Sequence, residues 1–127
     1  MIVVDTSVWI DFFRGRSPVV EKLSVLLDRD EVALPVPVKI EILSGARKAE
    51  VQQLERVLSA LPVLYPTEEL WKLLAKWVTA GTATGQRFGV GDLLVAALAV
   101  EHNCTLWSLD RDFVRMANLR MVSLADV

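Results

Sequence analysis

One cysteine and one histidine are all that this chain offers of the two side chains most used in nucleophilic and zinc chemistry. Cys104 has no second cysteine with which to close an internal disulfide. Its apolar segment, Asn103-Cys104-Thr105-Leu106-Trp107, suits a small buried hydrophobe better than a reactive thiol. His102 falls at the end of an expected helix, where a dipole contact accounts for it. A single imidazole excludes any mechanism that needs two, and any His-rich zinc site. Long apolar runs are missing as well. The longest uncharged apolar run, Leu93 to Val100, is less than half of the about 20 residues that cross a bilayer. Asp5 interrupts the opening Met-Ile-Val-Val before a signal-peptide core forms.

Nor is there a strong charge of either sign. The formal net charge is −2; residues 1–64 carry eight Lys/Arg against nine Asp/Glu, and residues 65–127 carry six against seven. Neither half is a basic arm that would bind a polyanion unaided. A metal-dependent nuclease remains open, because bound cations invert the local field. The expectation is a soluble, cytoplasmic protein with no membrane partner, whose chemistry rests mainly on carboxylates.

With 127 residues, 53% hydrophobic and 24% charged, the chain suits a single domain over 1–127 and is neither disordered nor collagen-like. Ile2-Val3-Val4 reads as a strand, followed by a helix carrying Val8, Trp9, Phe12 and Phe13. A second helix fits 18–28. Val32-Ala33-Leu34 reads as a buried strand ended by Pro35 and Pro37, with a helix through Ile40, Ile42 and Leu43 to Gly45. Residues 48–60 fit another helix and 62–66 a short strand. Thr67-Glu68-Glu69 opens a further helix, Gly81 to Gly91 reads as a loop, and Gly91-Asp92 opens an apolar helix to His102. Thr105-Leu106-Trp107 is the next strand, Asp110 to Met116 a short helix, and Met121-Val122-Ser123 a last strand. Alternation of this kind predicts an α/β fold with a mainly parallel sheet and helices on both faces.

Four carboxylates fall where such a fold builds sites. Asp5 follows the first strand, Glu41 lies in the helix after the second, Asp92 opens the apolar helix, and Asp110 follows the fourth strand, with Asp112 two residues on. Residues just past parallel strands gather at the sheet's C-terminal edge. Each also has a plain structural use: Asp5 and Asp92 as helix caps, Glu41 as a surface residue beside Lys39, Asp110 as a turn-former. Glu41 is flanked by Ile40 and Ile42, and Asp92 adjoins Leu93 and Leu94, with too few Lys or Arg nearby to neutralise four acids. Mg²⁺ or Mn²⁺, which take oxygen ligands, would resolve the repulsion, acidify water and shield a phosphodiester. Thr6, Ser7 and Ser108 either hydrogen-bond these carboxylates or cap helices.

Val3-Val4-Asp5-Thr6-Ser7-Val8-Trp9-Ile10-Asp11, Glu41 in Val38-Lys39-Ile40-Glu41-Ile42-Leu43-Ser44-Gly45, Gly91-Asp92-Leu93-Leu94-Val95-Ala96-Ala97, and Ser108-Leu109-Asp110-Arg111-Asp112-Phe113 follow one another along the chain. In that order and spacing they resemble the motifs of PIN-domain ribonucleases, within them the VapC toxins of toxin–antitoxin pairs. The resemblance covers nearly the whole chain. It implies a PIN-like sheet of about five parallel strands, Mg²⁺ with Mn²⁺ as a substitute, and endonucleolytic cleavage of single-stranded or loop RNA. Carried over residue by residue, Asp5, Glu41, Asp92 and Asp110 become the acidic quartet, with either Asp110 or Asp112 facing the metal. It also implies a homodimer held inactive by a VapB-type antitoxin. Arg14, Lys39, Arg87 and Arg111 lie near the expected site edge and either touch RNA phosphates or are solvated surface charge. Trp71 and Trp77 suit the core or a partner groove.

Other readings fare worse. A receiver-type signalling domain needs a phosphoacceptor Asp after the third strand and a Lys after the last, where this chain has Pro66-Thr67 and Leu124-Ala125. An aspartyl phosphatase needs a second Asp where Ser7 stands, and the glycines between 81 and 91 fit neither a P-loop nor a dinucleotide fingerprint. A catalytically degenerate PIN-like module that binds RNA or a partner is the remaining alternative.

Overall fold

The computed structural model describes residues 1–127. Four strands, β1 (Ile2–Val4), β2 (Val32–Pro35), β3 (Val63–Leu64) and β4 (Thr105–Trp107), form one parallel sheet in the order β3-β2-β1-β4. Seven helices connect and cover them: α1 (Thr6–Phe13), α2 (Val19–Asp28), α3 (Val36–Ser44), α4 (Val51–Leu58), α5 (Glu68–Thr84), α6 (Val90–Glu101) and α7 (Arg111–Asn118). The last strand expected over 121–123 shrinks to one parallel bridge between Leu106 and Leu124. Only two hydrogen bonds support it, Leu106 N–H to the Ser123 carbonyl at 2.9 Å and Ala125 N–H to the Leu106 carbonyl at 2.8 Å. No helix is long and apolar enough to cross a membrane.

Val3 and Val4 are both fully buried. Successive strand residues point to opposite faces, so both faces of β1 are covered. All four residues of β2 are buried in the same way. That is why these strands read as unbroken β-branched and apolar runs rather than as alternating ones. The two central strands are held in register by Ile2 opposite Val32 and Thr105, and by Val3 opposite Ala33 and Leu106.

Chain order reverses beside β1. The chain steps outward through β2 and β3, then returns to place β4 on the other flank of β1. In parallel α/β sheets, the crevice beyond the strand ends at such a reversal is where ligands bind. Asp5 and Ser108 are the first residues past β1 and β4, so both stand at its lip.

Two helices shape the crevice. In α6, Leu93 and the run Val95 to Ala99 are buried. Its alanines let it pack against α3, α5, α7 and β4, which leaves its charges, Asp92 and Glu101, at its two ends. Helix α5 is longer than the sequence suggests, because residues 81–84 continue it where a loop was expected. Hydroxyls of Thr79, Thr82 and Thr84 bond back to the carbonyls of Ala75, Val78 and Ala80 at 2.9–3.0 Å, a local use of threonine compatible with helix. Gly81 is required by a close approach: a Cβ there would stand 2.2 Å from the Gln86 carbonyl oxygen, where the chain folds back. The turn is made at Gly85, whose φ of +74° favours glycine. The mixed Gly and Thr content disguised a helix as a loop.

Candidate active site

Asp5 occupies the cap position of α1, but its carboxylate makes no capping bond to the helix. It is the one charged side chain in the core, 7% exposed. Two hydroxyls bond the same carboxylate oxygen, Oδ2: Ser7 Oγ at 3.0 Å and Ser108 Oγ at 2.8 Å. Each serine is in turn held by the turn after β4, since Leu109 N–H donates to Ser7 Oγ and Asp110 N–H donates to Ser108 Oγ, both at 3.0 Å. Backbone amides thus aim the serines and the serines aim Asp5. The hydroxyls satisfy one oxygen of a carboxylate that would otherwise be costly to bury.

Glu41 is exposed on α3, and Thr6 Oγ1 donates to its Oε2 at 2.8 Å. Its other oxygen lies 3.9 Å from where a Cβ on Gly91 would stand, against the opening turn of α6. Asp92 is in that turn; Gly89, not Asp92, occupies the cap position. Asp110 does cap its helix, with Oδ1 accepting from Asp112 N–H at 2.9 Å. Capping engages that oxygen and still leaves the carboxyl group in the cluster. One oxygen from each of Asp92, Asp110 and Asp112 lies within 4.8 Å of the others. Both aspartates after β4 therefore belong to the cluster, where the sequence left a choice between them.

Electrostatics record the same convergence. Burial first, then the charges of Asp110, Asp5, Asp112 and Glu41, push the Asp92 carboxyl up from its ordinary 3.8 to about 6. Each of the five acids expected from sequence thus appears in one field, though they come from four separate segments of chain. Every donor is a carboxylate or hydroxyl oxygen, with no imidazole or thiol. The set fits a hard cation such as Mg²⁺ or Mn²⁺, which would relieve the mutual repulsion at Asp92.

The cationic residues named from sequence form no ion pairs; the chain's ion pairs are Arg16–Asp11, Arg47–Glu50, Lys72–Glu69 and Arg115–Asp112. Arg14 ends α1 and, with Glu41, Ile42 and Arg47, lines a groove of about 500 Å³. Lys39 is half-buried on α3, Arg87 lies between α5 and α6, and Arg111 is exposed at the start of α7. Trp77 is half-buried against the core, whereas Trp71 is 49% exposed. Cys104 is buried and burial pushes its thiol up, so it is an unreactive core residue, as the sequence suggests.

Arg115 was not singled out from the sequence. Its Nη1 donates to Asp112 Oδ1 at 2.9 Å and its Nη2 to Gln86 Oε1 at 3.3 Å, and the guanidinium lies 4.5 Å from the Phe88 ring centroid. The i,i+3 spacing of Asp112 and Arg115 on a helix was the available signal.

Residues 2–119 match the PIN domain. Ribonuclease VapC11 of Mycobacterium tuberculosis is 33% identical over 132 residues, a match covering 97% of this chain and 98% of that protein. Ribonuclease VapC1 of Haemophilus influenzae is 25% identical, with 93% of each chain covered. Among solved structures, VapBC-1 from nontypeable Haemophilus influenzae superposes with a TM-score of 0.79 at 23% identity, covering 99% of this chain and 98% of that one. FitAcB from Neisseria gonorrhoeae gives a TM-score of 0.77 at 20% identity, over 99% and 97%. These likenesses agree with the strand order, the reversal beside β1 and the acids gathered there: the chain belongs to the PIN-domain family, in its VapC branch.

Proposed function

We propose that this protein is a Mg²⁺- or Mn²⁺-dependent endoribonuclease and the toxin of a toxin–antitoxin pair. The observation that carries the reading is the convergence of Asp92, Asp110 and Asp112 within 4.8 Å, beside the hydroxyl-aligned carboxylates of Asp5 and Glu41. The relatives named ribonuclease VapC, and the neighbours that are VapBC complexes, supply the substrate class and the antitoxin partner.

When bound, a divalent cation supplies water acidified at neutral pH and positive charge against the scissile phosphodiester. The chain's own residues do the rest. Asp5 presents the oxygen that Ser7 and Ser108 leave unoccupied, and Thr6 keeps Glu41 turned toward the opening of α6. Asp92, held largely protonated in acid by burial and then by its neighbours' charges, would give up that proton to a bound cation. Asp110 and Asp112 close the far side. Arg14, Lys39, Arg87 and Arg111, free of carboxylate partners, are assigned to RNA phosphates, which lie at the rim where the acids would otherwise repel them. A VapB-type antitoxin and a homodimer complete the assembly, acting in the cytoplasm.

Asp5→Asn tests the reading. The variant should keep its circular dichroism and lose Mn²⁺-dependent cleavage of a panel of structured RNAs. Cleavage at the wild-type rate overturns the assignment.

A further inference from the structure

Arg115 makes three contacts that belong to two different parts of the site. Through Asp112, one turn earlier on α7, it reaches the acid cluster at 2.9 Å. Through Gln86 at 3.3 Å and the face of Phe88 at 4.5 Å, it reaches the segment that enters α6 and carries Asp92. Gln86 is itself pressed against the end of α5, because its carbonyl oxygen fills the space a side chain at Gly81 would need. The segment between α5 and α6 is thus fixed at its start by backbone packing and at its far side by one guanidinium.

We propose that Arg115 is a positioning residue that sets the spacing between Asp112 on α7 and Asp92 on α6. The proposal rests on the metal-dependent reading above. An exposed ion pair at i,i+3 contributes little to folding, so folding stability does not account for a fork with three partners. A guanidinium suits the task because it is planar, donates in two directions at once and stacks on an aromatic face; an ammonium offers only a point charge. Asp112 keeps Oδ2 free while Oδ1 is engaged, which fixes the direction in which the remaining oxygen is presented.

Charge and position make opposite predictions here. Removing a positive charge beside five carboxylates would tighten cation binding if Arg115 acted only through its field. Removing a positioning contact loosens it, typically by about 10-fold to 100-fold for groups that orient metal ligands. The experiment is titration of Mn²⁺ into wild type, Arg115→Ala and Arg115→Lys, following free Mn²⁺ by electron paramagnetic resonance. Amide hydrogen exchange over residues 86–90 is measured in parallel on the metal-free proteins. Arg115→Ala should bind Mn²⁺ about tenfold more weakly, with faster exchange over that segment, and Arg115→Lys should recover neither fully. Equal or tighter Mn²⁺ binding by Arg115→Ala, or full recovery by Arg115→Lys, overturns the proposal while leaving the metal reading intact. Wild-type protein that takes up no Mn²⁺ overturns the metal reading and this proposal with it.

Discussion

Asp92→Asn removes the carboxylate whose ionisation the fold most resists. Burial and four like charges raise its pKa from 3.8 to about 6. A carboxylate raised in the folded state contributes stability that is complete below its unfolded pKa and is lost as pH rises through the folded one. Metal-free protein should therefore weaken between about pH 4 and about pH 6. Unscreened, the shift from 3.8 to about 6 corresponds to roughly 3 kcal/mol at pH 7.5. Asp92 is only half-buried, so solvent screening removes at least half of that. Its place in the first turn of α6 returns a further 0.3–1 kcal/mol, roughly, through the helix dipole. About 1 kcal/mol remains, which for a chain of this size is roughly 3–5 °C in Tm. In differential scanning calorimetry with chelator present, Asp92→Asn should melt higher than wild type by that margin at pH 7.5. The gap should narrow as pH falls through about 6 and close only below about pH 4. A variant that melts lower at pH 7.5, or a gap that ignores pH, would refute the crowding of acids around Asp92.

Mg²⁺ should raise the melting temperature of wild type by relieving that crowding and leave Asp5→Asn unmoved; equal shifts in both would place the ion elsewhere. Asp110→Asn retains a capping side chain, so its urea midpoint should stay close to wild type while Mn²⁺ affinity falls. Asp112→Asn should lose affinity as well, and a titration in which only one of the two weakens identifies the sole ligand. Ser108→Ala removes both the donor to Asp5 and the acceptor for the Asp110 amide, so Mn²⁺ binding should weaken about tenfold. Leu106→Ala, at a fully buried position in β4, should cost about 2–5 kcal/mol in urea unfolding.

Three of the acids were legible because each marks a boundary. Asp5 and Asp110 follow short apolar strands, and Asp92 opens a helix too apolar to hide a charge. What the sequence left open was how one side chain serves two ends. Asp110 reads as a turn-former and is one, yet its capping bond uses a single oxygen and leaves the carboxyl in the cluster. Asp5 reads equally as a cap, and only the positions of Ser7 and Ser108, brought together from 101 residues apart, exclude that. The end of α5 misled because glycine and threonine disfavour helix locally, while the fold-back of Gln86 onto Gly81 is a tertiary demand. Arg115 shows in sequence only as an i,i+3 neighbour of Asp112, because its other two partners, Gln86 and Phe88, lie in another segment, beyond any local spacing.

The placement of β4 beside β1 has a consequence for how the protein is made. Asp5 is synthesised 103 residues ahead of Ser108, which aligns it, and further still ahead of Asp110 and Asp112. At about 5–20 residues per second, a ribosome needs several seconds to travel between them. A still-growing polypeptide that has not yet reached Ser108 lacks the partners that orient Asp5, so the acid cluster stays incomplete until that stretch has been made.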